Sequence, residues 1–199
     1  MKRSEKQFFK LFEVLKMRCR RRMGLPLIYS QQPDGLSEQQ QRELEDGLLA
    51  ACRDVGTLLI KDGRVQEGWM YLQPLGDRQH SEKLIQSIAI DEENLDEIVE
   101  IAVTQGAAPA YGYSLLLKNY GTCNAITTFD TQAMRFDKPT QKEMSQQLLR
   151  HLYAELCANL RHTVEQENKS VSEDSSLAEI LTEHPWLIAG GAHHIDTTH

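Results

Sequence analysis

The chain has 199 residues, 40% hydrophobic and 26% charged, a composition that suits a folded globular domain and excludes a disordered one. No apolar run approaches the ~20 residues a helix needs to cross a bilayer, which excludes a membrane-spanning helix. The net charge of -7 is uneven: residues 1–22 carry +7, from nine basic and two acidic side chains, and the remaining chain carries -14.

Helical periodicity dominates. In residues 4–22, Phe8, Leu11, Phe12 and Leu15 recur at helical spacing, with Lys6, Lys10, Glu13 and Lys16 largely opposite. Gly24 and Pro26 end that helix, and residues 31–36 (QQPDGL) read as a turn. Ser37 and Gln40 fit a capping box, in which side chains at both positions satisfy open amide groups. The helix they open runs to about Lys61, with Leu44, Leu48, Cys52, Val55 and Leu59 in a stripe. Asp62-Gly63 stops it, and a helix over 64–73 follows and ends at Pro74. A short helix is expected over 79–89. Asp91 then caps another, with Leu95, Ile98, Val99 and Ala102 buried and Gly106 as its stop.

Pro109 suits the first turn of a helix to about Asn119. Residues 121–139 break the pattern, and the β-branched, aromatic stretch Ala125–Phe129 suggests a short strand or extended loop. Thr140 and Glu143 resemble a second capping box, opening the longest helix, to about Gln166, with Met144, Leu148, Leu152, Leu156 and Leu160 at four-residue steps. A polar connector over 168–175, a short helix Leu177–Glu183 and the end WLIAGGAHHIDTTH complete the chain.

Two segments align without gaps at an offset of 43 residues: VGTLLIKDGRVQEGWMYL from Val55 and IVEIAVTQGAAPAYGYSL from Ile98. Gly63 matches Gly106, Leu72 matches Leu115 and Leu59 matches Ala102, and each segment reads as helix, glycine turn, helix. The first resembles a tetratricopeptide repeat, carried by Gly56, Leu59, Gly63, Gly68, Leu72 and Pro74. Small residues let paired helices approach, and large ones fill the groove between them. Gly68 stands where alanine is usual, Tyr111 takes the small position of the second unit, and the offset exceeds the usual repeat length. The resemblance covers residues 40–120 and implies an α-solenoid with a surface for a peptide or protein.

Four features carry candidate chemistry. His193, His194, Asp196 and His199 are imidazole and carboxylate ligands suited to a divalent metal such as zinc. Cys123, after Gly121 and beside Thr122, is a candidate nucleophile if His151 or His194 serves as its base. Trp69, Tyr71, Tyr111 and Tyr113 belong to the two second helices. Alternate positions cannot share one helix face, so one of each pair should look outward or line a groove, where aromatics anchor a bound peptide. The basic N-terminal helix reads as docking its Phe8, Leu11, Phe12 and Leu15 face on the acidic body, its charge complementing the -14 there, ahead of a membrane surface or nucleic acid. Cys19, Cys52, Cys123 and Cys157 lie too far apart for a zinc ribbon and suit thiols in a reducing compartment.

The expectation is an all-α fold: antiparallel helix pairs in a short tetratricopeptide-like α-solenoid with a less regular C-terminal part. It comprises a basic amphipathic helix over 1–30, a repeat region over 37–120, and a long helix with an irregular segment over 121–199, read as one continuous domain. The expected function is non-catalytic protein or peptide binding in the cytoplasm, without a cofactor. The alternative is a metal-dependent enzyme or metal-stabilised domain using the C-terminal histidines. Nucleic acid and membrane are not expected partners, and self-association is compatible with the reading. The basic N-terminus shows no signal peptide. The apolar run Trp186–Ala189, so near residue 199 without a capping helix, suggests that further chain or a second copy covers it.

Overall fold

The computed structural model describes residues 5–27, 35–172 and 175–189. All regular structure among them is helical: α1 (Glu5–Arg22), α2 (Glu38–Lys61), α3 (Val65–Leu72), α4 (Arg78–Gln86), α5 (Leu95–Val99), α6 (Pro109–Gln132), α7 (Lys138–Gln166), α8 (Leu177–Glu183) and α9 (Trp186–Ala189). None of these is long and apolar enough to cross a membrane. The chain divides into two compact units, Met1–Gly112 and Tyr113–His199.

In the first unit, the capping box opens α2 as the sequence predicts: Ser37 Oγ accepts from Gln40 N at 3.3 Å, and Ser37 N donates to Gln40 Oε1 at 3.0 Å. At the other end Gly63 is left-handed (φ 82°), a conformation that costs residues with a Cβ. Its N–H donates to Ile60 O and that of Arg64 to Leu59 O, both at 3.0 Å, which closes the helix and reverses the chain into α3.

α2 and α3 then lie antiparallel, at a distance only glycine permits. A Cβ on Gly68 would stand 2.5 Å from Ile60 Cγ1 and 2.7 Å from Gly56 O. One on Gly56 would meet Leu72 Cγ at 2.8 Å. Val55, Leu59, Val65 and Leu72 are buried around this contact.

The second pair departs from the gapless alignment. α5 passes into a π-helical turn, Glu100–Thr104, in which Gln105 N donates to Glu100 O at 3.1 Å. Gly106 repeats the left-handed turn (φ 77°). α6, however, starts three residues after its turn glycine, where α3 starts two after Gly63. The extra residue moves the close approach from Tyr111 to Gly112, whose added Cβ would stand 2.6 Å from Ala102 Cβ and 2.7 Å from Val103 Cγ2. Glu97 Oε1 accepts from Gln66 N at 3.1 Å, linking the first pair to the second. Packed pairs with glycine turns are compatible with helical repeats.

α1 docks antiparallel on α2. Phe8 is buried with Val55 and Leu59, and Leu11, Phe12 and Leu15 pack against the same cluster. Farther along, Cys19 sits on Gly47 so closely that a Cβ there would stand 2.0 Å from its Sγ. The arginine run splits at the helix end. Arg20 is buried and its Nε donates to Pro26 O at 2.6 Å, while Arg21 and Arg22 point to solvent.

In the second unit the expected strand at Ala125–Phe129 is replaced by helix. α6 breaks only at Gly121 (φ 78°, ψ 177°) and continues to Gln132. Burial overrides the β propensity of this stretch: Ala125 is wholly buried, and Phe129 lies one helical turn on, its ring 6.2 Å from that of Tyr113. The cap of α7 is Asp137 rather than Thr140; its carboxylate accepts from Thr140 N at 2.9 Å, and Pro139 fits the first turn. Met144 is buried early in α7 and Leu160 and Val164 late, on roughly opposite sides of the helix at ~3.6 residues per turn. The late face packs with Ile180 of α8 and Leu187 of α9.

Replacing Gly68 by alanine is expected to lower stability by about 1–2 kcal/mol, because overpacking against backbone at Gly56 O outweighs the ~1 kcal/mol gain in helix propensity. Urea denaturation checks this; an unchanged or raised midpoint would mean that α2 and α3 do not meet there.

Candidate functional site

The four aromatic residues expected around a groove are placed very differently. Trp69 is buried in the first unit. Tyr71 is half-buried, its ring edge-on to Phe12 of α1 at 5.2 Å between centroids. Burial pushes its phenol up, reinforced by Cys52, Glu67 and Glu13 and opposed by Arg64. Tyr111 is half-buried, and burial raises its phenol too. Tyr113, in the second unit, is fully enclosed; its hydroxyl donates to Ala125 O at 3.0 Å, and burial raises its pKa to about 12. Trp69 and Tyr113 therefore pack cores, and Tyr111 and part of Tyr71 keep accessible surface.

His193, His194, Asp196 and His199 lie outside the described residues. Among the described residues no group of three or more histidine, cysteine or acidic side chains is gathered as a metal site would need.

Cys123 is exposed, two residues after the break at Gly121. The second unit brings His151 to its neighbour: His151 Nε2 lies 3.0 Å from Thr122 Oγ1 and 3.3 Å from Glu155 Oε1. Thr122 Oγ1 donates to Glu155 Oε2 at 2.5 Å. With that proton held by the carboxylate, the imidazole faces the hydroxyl as a donor. The trio fastens the restart of α6 to α7.

A feature not anticipated from the sequence is an open groove of about 650 Å³ between α1 and α2. Leu15, Arg18, Cys19, Arg21 and Arg22 line it from α1, and Gly47, Ala50, Ala51 and Asp54 from α2. Arg18, Arg21 and Arg22 are exposed and, among the described residues, none pairs with a carboxylate. The docking face expected of α1 is the one observed, Phe8 with Leu11, Phe12 and Leu15. α1 holds to the body through its apolar face, and Lys16 pairs with Glu13 at 2.7 Å within the helix. The sequence does carry the signal: Arg18, Arg21 and Arg22 fall on one side of α1, and Gly47, Ala50, Ala51 and Asp54 recur at helical spacing in α2.

No family model, curated protein or solved structure matches this chain.

Replacing Tyr113 by phenylalanine is expected to cost about 1–2 kcal/mol, since it removes the buried hydroxyl bond to the Ala125 carbonyl. The same phenol sets an alkaline limit. Below about pH 10 it is neutral in both folded and unfolded chains, and from there to about 12 only the unfolded chain loses the proton. Stability therefore falls through that window, and the Tyr113→Phe chain should lose that part of the slope. Denaturant midpoints across alkaline pH check both; parallel pH profiles would contradict the burial of this hydroxyl.

Proposed function

We propose that the chain is a non-catalytic helical-repeat module that binds a protein or peptide, and that it does so in the groove between α1 and α2. One observation supports this above the others: two antiparallel helices leave a long concave surface with a floor of small residues and a charged edge. Ala50 is exposed on that floor, Gly47 is covered by Cys19 and Ala51 is buried beside them, and exposed arginines stand over it. A bound segment can approach such a floor closely, as in recognition of a helix in a groove. Tyr111, partly accessible, is carried into the proposal as a secondary contact of the first unit.

The test is site-specific photo-cross-linking in the cytoplasmic extract. A photo-reactive residue at exposed Ala50 should capture a discrete protein band that the same group at exposed Gln86 of α4 does not. Excess wild-type chain should compete this capture away, and excess Ala50→Trp chain, whose groove is filled, should not. Equal capture from both positions, or none, removes the groove from the function.

A further inference from the structure

The two walls of the α1–α2 groove differ in chemistry. The α1 wall presents three guanidinium groups, Arg18, Arg21 and Arg22. The α2 wall presents Gly47, Ala50 and Ala51, with Asp54 as its one lining carboxylate. Leu15 and Cys19 continue the apolar floor between them.

From this asymmetry we infer that the groove takes an acidic amphipathic segment of a protein partner, with its carboxylates on the arginines of α1 and its small or apolar face on α2. The inference rests on the binding function proposed above and names its partner class.

Part of the arginine run serves the fold. Cations in the last turn of a helix complement the exposed carbonyls there, and Arg20 is consumed by its bond to Pro26 O. That role does not account for Arg18, which lies a turn earlier, nor for the shared side taken by Arg18, Arg21 and Arg22. Three arginines against one aspartate leave a positive edge in a chain of net charge -7. Guanidinium suits carboxylate by its paired, planar donors.

The floor decides between acidic partners. A nucleic-acid backbone would meet the arginines but leave the apolar lining at Leu15 and Ala50 without a complement. A bilayer surface is flat and does not enter a concave space between helices. A peptide helix with acidic and apolar faces meets both walls at once.

The experiment measures binding of a labelled synthetic helix of Glu and Leu to the full chain by fluorescence anisotropy, beside its Gln/Leu and Lys/Leu counterparts. The Glu/Leu helix should bind saturably and weaken with added salt. Arg18→Glu with Arg22→Glu should weaken it about tenfold or more, the scale of two partly exposed ion pairs, and should gain binding of the Lys/Leu helix. Both sites are exposed, and circular dichroism verifies that the variant keeps its helices. Equal binding of the Gln/Leu helix, lost in Ala50→Trp, would overturn the acidic class and leave the groove function standing. No binding of any helix would overturn the inference, and cross-linking from Ala50 would then decide the groove separately. Preference for anionic vesicles or an oligonucleotide would overturn it. So would a dimer of the chain alone that the double variant dissolves, since the occupant would then be a second copy.

Discussion

The first unit depends on backbones approaching one another at glycines inside helices. Gly47 admits Cys19 of α1, Gly56 and Gly68 bring α2 against α3, and Gly112 brings α6 against the turn at Ala102 and Val103. Each glycine weakens its own helix by about 1 kcal/mol relative to alanine. What it returns is contact: with no Cβ between them, Leu59, Leu72 and Val55 close over the crossing and are buried almost completely. The α1 contact follows from the same geometry, because Phe8 packs on Val55 and Leu59 and Phe12 on Tyr71, surfaces that exist only once α2 and α3 are paired.

That arrangement separates the apolar and charged roles of α1. Its Phe8, Leu11, Phe12 and Leu15 face is spent on docking, so Arg18, Arg21 and Arg22 need no partner from the body and remain on the groove edge. The proposed acidic partner is a consequence of docking through apolar contact.

The second unit is governed by a different device. Four-residue steps drift by ~40° per step around a helix of 3.6 residues per turn. The row Met144, Leu148, Leu152, Leu156, Leu160 therefore winds from one side of α7 to the other. One long helix can thus bury its beginning and its end in different surroundings, with α8 and α9 on the later face. The bonds from Thr122 to His151 and Glu155 fix where α6 restarts against it.

Much of the local chemistry was legible in the residues: the cap at Ser37, the stops at Gly24, Gly63 and Gly106, the helical periods and the small positions Gly56 and Gly68, though the cap of α7 falls to Asp137 and not to Thr140. These depend on neighbours within a few residues, so sequence alone determined an all-helical chain of paired segments with a basic first helix. Contacts made at long range were not legible. The Tyr113 hydroxyl and Phe129 hold Ala125–Phe129 in a helix against its β propensity. One additional loop residue moves the close approach from Tyr111 to Gly112, which a gapless alignment cannot register. Burial took Trp69 and Tyr113 out of any surface, and the groove arose where two distant stretches, 15–22 and 47–54, came side by side. Tertiary structure alone decided which side of each helix is covered, because that depends on which partner reaches it first in space rather than on the spacing of its own residues.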